Sequence, residues 1–294
     1  MTILISAIAG LNLASSNVST QGSEFHVITE QERKTFQIND IQLKNAVSRA
    51  FGQAPTDAFV KSSDSWPNKN WADLYSRYNW PQVTTVLQVE NAKIIDISSK
   101  PVIIASRFFQ NKSTKPATFT ANITENVANT IESNWNSSQS ITTGLSFTEK
   151  VEIGIEGIGK GGFESTQSFS MSDTWGKGGS SSQTTTVGSS SGLSIPLNPG
   201  EAVTAQLIAT RGSMKVRVQY KVYLTGATAI NYERTYQGHH FWALPIQNVM
   251  GSAGIPNYQI VTQDIEVGYY SDASVIVQDS YGVTKAFVPA VVTQ

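Results

Sequence analysis

Over two long stretches of this chain apolar residues recur at every second position, a period that fits β-strands and little else. In SMKVRVQYKVYL, residues Met214, Val216, Val218, Tyr220, Val222 and Leu224 take even positions, with Lys215, Arg217, Gln219 and Lys221 between them. In ITTGLSFTEKVEIGIEGIGKGGFESTQSFSMS, residues Ile141, Leu145, Phe147, Val151, Ile153 and Ile155 take odd positions. Thr142, Ser146, Thr148, Lys150, Glu152 and Glu156 take even ones. A helix would scatter either set around its axis, whereas a strand puts each set on one face. A glycine-rich corner, Gly157 to Gly162, then reverses the second stretch, and Phe163, Phe169 and Met171 carry a weaker apolar face back.

The rest of the chain is consistent with long strands. TTVLQV, AKIIDIS, PVIIASRFF, NYQIVTQDIEVGYY and ASVIVQDS read as strands, and EAVTAQLIAT as another with Val203, Ala205, Leu207 and Ala209 on one side. Between Ser113 and Ser194, Ser and Thr make up 30 of 82 residues. That density resembles a disordered stalk, but the apolar residues keep period two and threonine's branched Cβ suits a pleated surface. We therefore read exposed β-ribbons here, one of them ending in a turn at Asn198-Pro199-Gly200. Strands this long predict an elongated, mainly β molecule.

The first third is mixed. DIQLKNAVSRAFG predicts a helix capped by Asp40, striped by Leu43, Val47, Ala50 and Phe51, and ended by Gly52. NWADLYSRYNW predicts a second helix with Trp71, Tyr75 and Tyr78 on one face. Residues 226–257 read as an aromatic loop region, and the apolar tail GVTKAFVPAVVTQ as a segment docked on the body. The first sixteen residues have an apolar stretch without a basic start, the first basic residue being Arg33, and read as an ordinary N-terminal strand or short helix.

Composition excludes several classes. The net charge of -1 offers no basic surface for nucleic acid. Cysteine is absent, so disulfides and thiolate metal sites are too. Gly154 to Lys160 has phosphate-loop spacing, but Gly161 follows where a Ser or Thr is needed, and Glu152 and Glu156 would repel phosphate. His239 and His240 are adjacent, so on a strand they point apart and make a poor metal pair. No acid–base pair or nucleophile motif stands out. We expect no enzyme, no cofactor and no metal.

The aromatics form two groups, Trp66, Trp71, Tyr75, Tyr78 and Trp80, then Tyr232, Tyr236, Phe241 and Trp242. Such rings either pack a helix on its sheet or meet a ligand with one face apolar and one end wet.

The apolar face of the 141–155 ribbon would cost on the order of 10 kcal/mol to expose to water. In solution it must be covered, while the face with Lys150, Glu152 and Glu156 stays wet. A half-buried sheet meets both demands. So does a transmembrane β-strand, which needs about 9–11 residues and has lipid on one side and water on the other. A single hairpin cannot cross alone, because its edge N–H and C=O groups would be unpaired in lipid.

The order of segments adds to this. A mixed head is followed by NKSTKPATFT, then a Ser/Thr ribbon reaching Asn134-Trp135, the amphipathic hairpin, a second Ser/Thr ribbon, and strands from Asn198-Pro199-Gly200-Glu201 to VYLTG. This layout, over roughly residues 105–280, resembles the aerolysin-like β-pore-forming toxins, in particular the branch with epsilon toxin, mosquitocidal toxins and parasporins.

The resemblance implies an elongated aerolysin-like architecture with a small mixed α/β N-terminal head. Residues 1–108, completed by 226–257, would be the receptor-binding head. Residues 109–140, 174–225 and 258–294 would form the long-strand β domains, and 141–173 the insertion hairpin. The protein would bind a receptor on the target-cell membrane, a glycan, lipid or protein, then be cut by a protease. It would next assemble into a ring-shaped homo-oligomer and insert one hairpin per chain. Leu145, Phe147, Val151, Ile153, Ile155, Ile158, Phe163, Phe169 and Met171 would enter lipid; Lys150, Glu152 and Glu156 would face the lumen. Trp66, Trp71, Tyr75, Tyr78, Trp80, Tyr236, Phe241 and Trp242 are the receptor-binding candidates. The tail beyond Tyr281, with Lys285 as a cleavage point, is a candidate removable segment. The protein would be secreted or held in a bacterial parasporal inclusion and act at the host-cell membrane. A β-rich lectin or adhesin, or a nontoxic crystal protein, would have the same layout.

Overall fold

The computed structural model describes residues 17–21, 23–62, 71–136, 150–158, 164–169, 178–189 and 192–293. The chain begins with strands β1 (Asn17–Gln21) and β2 (Ser23–Val27), helices α1 (Glu30–Thr35) and α2 (Asp40–Phe51), strand β3 (Asp57–Phe59) and helix α3 (Leu74–Tyr78). There follow β4 (Thr84–Gln110), β5 (Ala117–Ala121), β6 (Thr124–Trp135), β7 (Lys150–Ile158), β8 (Glu164–Phe169), β9 (Ser180–Gly188), β10 (Leu193–Leu197) and β11 (Ala202–Thr225). Then come β12 (Ala227–Tyr236), β13 (His239–Pro245), helix α4 (Ile246–Ser252), β14 (Tyr258–Asp279), β15 (Thr284–Pro289) and β16 (Val291–Thr293).

The spine is β11, which pairs antiparallel with β4 on one edge and β14 on the other. These strands have 24, 27 and 22 residues, so each spans roughly 70–90 Å and the molecule is elongated. The sheet continues outward through β2 beyond β4, and through β6, β9 and β16 beyond β14. Three runs read as separate strands, TTVLQV, AKIIDIS and PVIIASRFF, are one strand, β4. A continuous partner in β11 carries the pairing across three register shifts. Pro101 is tolerated because β4 has β2 beside it only over Thr84–Gln88.

The two runs read as 201–210 and 213–224 are likewise one strand. In β11 the buried apolar residues are Val203, Ala205, Leu207 and Ala209, then Met214 and every second residue to Leu224. The parity of burial changes, yet the surplus residues that shift register lie in β14 and β4, with Asp272 at φ 49° in the β14 bulge. Since β11 itself alternates without interruption, its two buried sets lie on opposite faces. One core therefore joins the head to the Met214–Leu224 half, and a second, with Ala121 of β5, Ile123 just after it, and Ile195 and Leu197 of β10, covers the other face of the Val203–Ala209 half. Near the crossover, a Cβ on Gly212 would run into the Tyr269 ring of the facing strand.

The head differs from expectation in detail. Asn39, not Asp40, caps α2, because Asn39 and Gln42 exchange side-chain and backbone hydrogen bonds, while Asp40 pairs with Arg33. Helix α3 is only five residues long and starts at Asp73's cap, which leaves Trp71 before the helix. Residues 226–257 hold β12, β13 and α4 where a loop was expected; β12 lies between β3 and β13. Two expectations hold as read. Asn198 to Glu201 is a turn closed by a 3.0 Å bond from the Glu201 N–H to the Asn198 carbonyl, with Gly200 at φ 81°. The tail is docked, β15 on β14 and β16 on β9.

Candidate functional site

The amphipathic hairpin forms its own small sheet, in the order β1-β7-β8. Strands β7 and β8 run antiparallel from Ile153 opposite Phe169 to Ile158 opposite Glu164. Val151, Ile153 and Ile155 hold the odd positions of β7, and Lys150, Glu152 and Glu156 the even ones. Ile158 is the last residue of β7, in step with the charged set. Gly154, which opens the phosphate-loop spacing, lies within β7, and the next described segment is another strand, where a phosphate loop needs a helix N-terminus. Leu145, Phe147, Phe163 and Met171 lie outside the described residues.

Two features hold the hairpin. Phe169 is 1% exposed and belongs to the core that contains Met214, Val216, Ile265, Val267 and Tyr269. A buried phenylalanine of this kind anchors by about 2–3 kcal/mol. On the other edge, β1 pairs with β7, Val18 opposite Ile153 and Thr20 opposite Val151. The reading of the sequence missed this partner, because a five-residue strand (NVSTQ) carries almost no periodic signal.

In the head, the aromatics separate into two environments. Tyr75 is buried, and its hydroxyl lies 2.8 Å from the Phe59 carbonyl and 2.9 Å from the Ala227 carbonyl, so its one proton is shared between two acceptors. Burial pushes its pKa well above the ordinary phenol value. Tyr78 stacks on Trp80 at 4.7 Å and is 41% exposed. Trp71, half-buried, meets Phe241 edge-on at 5.4 Å and Phe59 at 5.9 Å. The Arg77 guanidinium sits 5.3 Å from the Tyr78 ring and 5.9 Å from Phe241. Sequence distance hid this union of residues 71–80 with Phe241, which β13 brings in beside β12 and β3.

Tyr236 and Trp242 pack elsewhere, edge-on against Phe51 at the end of α2, at 5.1 and 5.0 Å. The Tyr236 hydroxyl donates to the Phe51 carbonyl at 2.8 Å, and the Trp242 indole N–H to the Tyr236 carbonyl at 3.2 Å. These bonds fix the rings to the frame of the head. Trp66 lies outside the described residues. His239 and His240 are exposed, and His240 Nδ1 is 2.9 Å from the Tyr232 carbonyl.

No family model matches this chain. U-megalopygitoxin(8)-Mc8 of Megalopyge crispata is 32% identical over 269 residues, which covers 92% of this chain and 89% of the relative. U-megalopygitoxin(8)-Mo12 of Megalopyge opercularis is 32% identical over 270 residues, with the same coverage of 92% and 89%. The chain belongs to the U-megalopygitoxin(8) family.

The fold of this U-megalopygitoxin(8) chain is aerolysin-like. It superposes on parasporin-2 of Bacillus thuringiensis with a TM-score of 0.58 at 17% identity, covering 87% of this chain and 98% of that one. It also superposes on a non-toxic crystal protein of Bacillus thuringiensis, with a TM-score of 0.53 at 12% identity, covering 90% and 98%. A toxin and a non-toxic protein share this architecture, so the fold alone does not confer toxicity.

Proposed function

We propose that this chain is a non-enzymatic, pore-forming toxin, released outside the producing cell and acting on the membrane of another. The head, the part of residues 1–108 that precedes β4 together with 226–257, binds a surface receptor. β4 and the strands of 109–140, 174–225 and 258–294 form the body, and 141–173 is the segment that inserts. Trp71, Tyr78, Trp80 and Phe241, with Arg77 among them, supply the receptor contact. Proteolysis near a terminus triggers assembly, and each chain of a ring-shaped homo-oligomer adds one hairpin to a shared barrel. Val151, Ile153 and Ile155 then meet lipid, and Lys150, Glu152 and Glu156 line the water-filled lumen. Storage in a crystalline inclusion is a finer part of the same proposal.

One observation carries this reading. The amphipathic β7–β8 hairpin pairs in a separate sheet, outside the eight-stranded one, and among the described residues its β7 edge is held by β1 alone. Among the described residues, its release would break no ladder of the long trio. In a closed barrel the β7 edge must pair with the next chain's hairpin, so β1 must give way first.

The test is dye release from liposomes, with and without brief trypsin treatment, each sample also run unboiled on a gel. Leakage with a detergent-resistant oligomer is expected, on cells if simple lipids lack the receptor. Val151→Asp and Ile153→Asp should abolish leakage and keep membrane binding. If no membrane yields an oligomer, the chain is instead a lectin or a nontoxic crystal protein, and the exposed Tyr78 stacked on Trp80 would favour the lectin.

A further inference from the structure

The outer face of the long sheet, opposite the head core, holds a concave site that belongs to neither the hairpin nor the head aromatics. It lies at the head end, where β2, β4, β11 and β14 run side by side. One cross-strand row there reads Phe25, Val86, Tyr223, Tyr258, and the adjacent row reads Gln88, Lys221, Ile260. Gln88, Lys221, Tyr223 and Tyr258, with Gln247 of α4 and Asn257 just before β14, enclose a hollow of about 220 Å³. Tyr258 is 49% exposed, and Phe25 and Ile260 beside the hollow are 72% and 45% exposed. An exposed aromatic and aliphatic patch with a polar rim is the signature of a binding surface.

We propose that this hollow binds a sugar ring of a glycan. A sugar offers an apolar C–H face and a rim of hydroxyls, each both donor and acceptor. The Tyr223 and Tyr258 rings, directly opposite on neighbouring strands, supply the stacking surface. The three amides, Gln88, Gln247 and Asn257, can donate and accept around the hydroxyl rim. Gln247 is set by its Nε2 donating to the Leu224 carbonyl at 3.1 Å, which makes its carbonyl end the acceptor. Lys221 Nζ lies 4.9 Å from the Tyr258 ring and 5.9 Å from Tyr223; a sugar that stacks on the rings displaces this flexible side chain, whose ammonium then donates to the hydroxyl rim.

Other ligand classes fit less well. A phosphate site needs converging cations or a helix N-terminus, and the lining has one lysine, already placed on two rings. A buried acyl chain would leave three amides without partners. With no carboxylate in the lining, both neutral and acidic sugars are admitted. The supports are strands and a helix on four different elements, so the platform is rigid before binding. This inference stands apart from pore formation, which it neither needs nor implies.

The test uses the intact protein in ligand-observed NMR titrations with methyl β-galactoside, N-acetylglucosamine and N-acetylneuraminic acid. Saturable binding of at least one is expected. Tyr258→Ser and Asn257→Ala should each weaken it about tenfold, the loss of one stacked or hydrogen-bonded contact, with the melting temperature unchanged. Phe108→Ser, at an exposed site near the far end of β4, should leave it intact. The proposal is overturned if none of the three sugars binds, or if binding survives both hollow variants. It is equally overturned if Phe108→Ser weakens binding as much as Tyr258→Ser does. Loss of binding to phosphatidylcholine vesicles in Tyr258→Ser, with no sugar signal, would reassign the hollow to lipid.

Discussion

Strands β7 and β11 carry the same pattern, apolar residues at every second position with charges between them, yet the protein treats them differently. β11 has a partner along each edge for most of its 24 residues, and its even-numbered side chains from Met214 to Leu224 are fully buried. β7 has nine residues, pairs with β8 on one edge, and borrows a five-residue strand for the other. Alternation sets which face of a strand wants cover; edge partners set whether the strand can leave. A strand bonded on both edges by strands of its own length is part of the frame. One held by a five-residue strand and, among the described side chains, by Phe169 is what the proposed function takes as the detachable part.

Four variants break or sharpen this contrast, in order of their expected cost to the fold. Val218→Asp, at a fully buried site in β11, leaves a charge with no partner and should cost about 4 kcal/mol or more. Loss of soluble folded protein in circular dichroism is the expected result; a cooperative melt near that of the parent would refute the framework role. Phe169→Ala removes the hairpin's anchor and should cost about 3 kcal/mol. Here the loss should be local: hydrogen exchange speeds up in β7 and β8 while β11 stays protected. Uniform loss of protection across both would mean the hairpin is an integral part of the frame.

Glu32 tests the frame through pH. It is fully buried in α1 and accepts hydrogen bonds from His26 Nε2 at 2.8 Å, the Thr29 N–H at 2.9 Å and Thr85 Oγ1 at 2.9 Å. Burial works to raise its pKa, but these bonds and the His26 charge outweigh it, and the carboxyl titrates below its ordinary 4.5. A depressed carboxylate stabilises the fold fully above its unfolded pKa and loses that contribution as pH falls through the lower folded value. The head should therefore weaken below about pH 4.5. Glu32→Gln should cost about 1–3 kcal/mol at pH 7 and flatten the acid limb of the stability curve. Denaturant melts at pH 7 and pH 3 check both.

The smallest cost belongs to a disulfide. The chain has no cysteine of its own, so Val18→Cys with Ile153→Cys, directly opposite residues of β1 and β7, can be introduced alone. Oxidised, it should leave the melting temperature unchanged or higher and suppress leakage; reduction should restore leakage. Equal leakage in both states would show that β1 need not leave.

Much of this organisation was legible in the residues. Val216 and its neighbours demanded a strand, Asn198 to Gly200 a turn, and the mixed head with its ribbons the right fold. What was not legible has a common cause. Nothing in PVIIASRFF announces that it continues from AKIIDIS, because continuity depends on β11 pairing across the breaks. Tyr75 and Tyr78 looked alike, three residues apart on one helix. Only the carbonyls of Phe59 and Ala227, brought in by β3 and β12, decide that the first is core and the second is surface.

The sequence by itself determined the strands, their apolar faces and the location of the hairpin, since period and turn chemistry are local properties of the chain. The tertiary structure alone decided that Ala202–Thr225 runs as one strand carrying both buried faces, the closure of β1 over β7, and the hollow between Tyr223 and Tyr258. Each of these depends on which strand lies beside which, and register between residues far apart in the chain is set by the packing of the whole sheet.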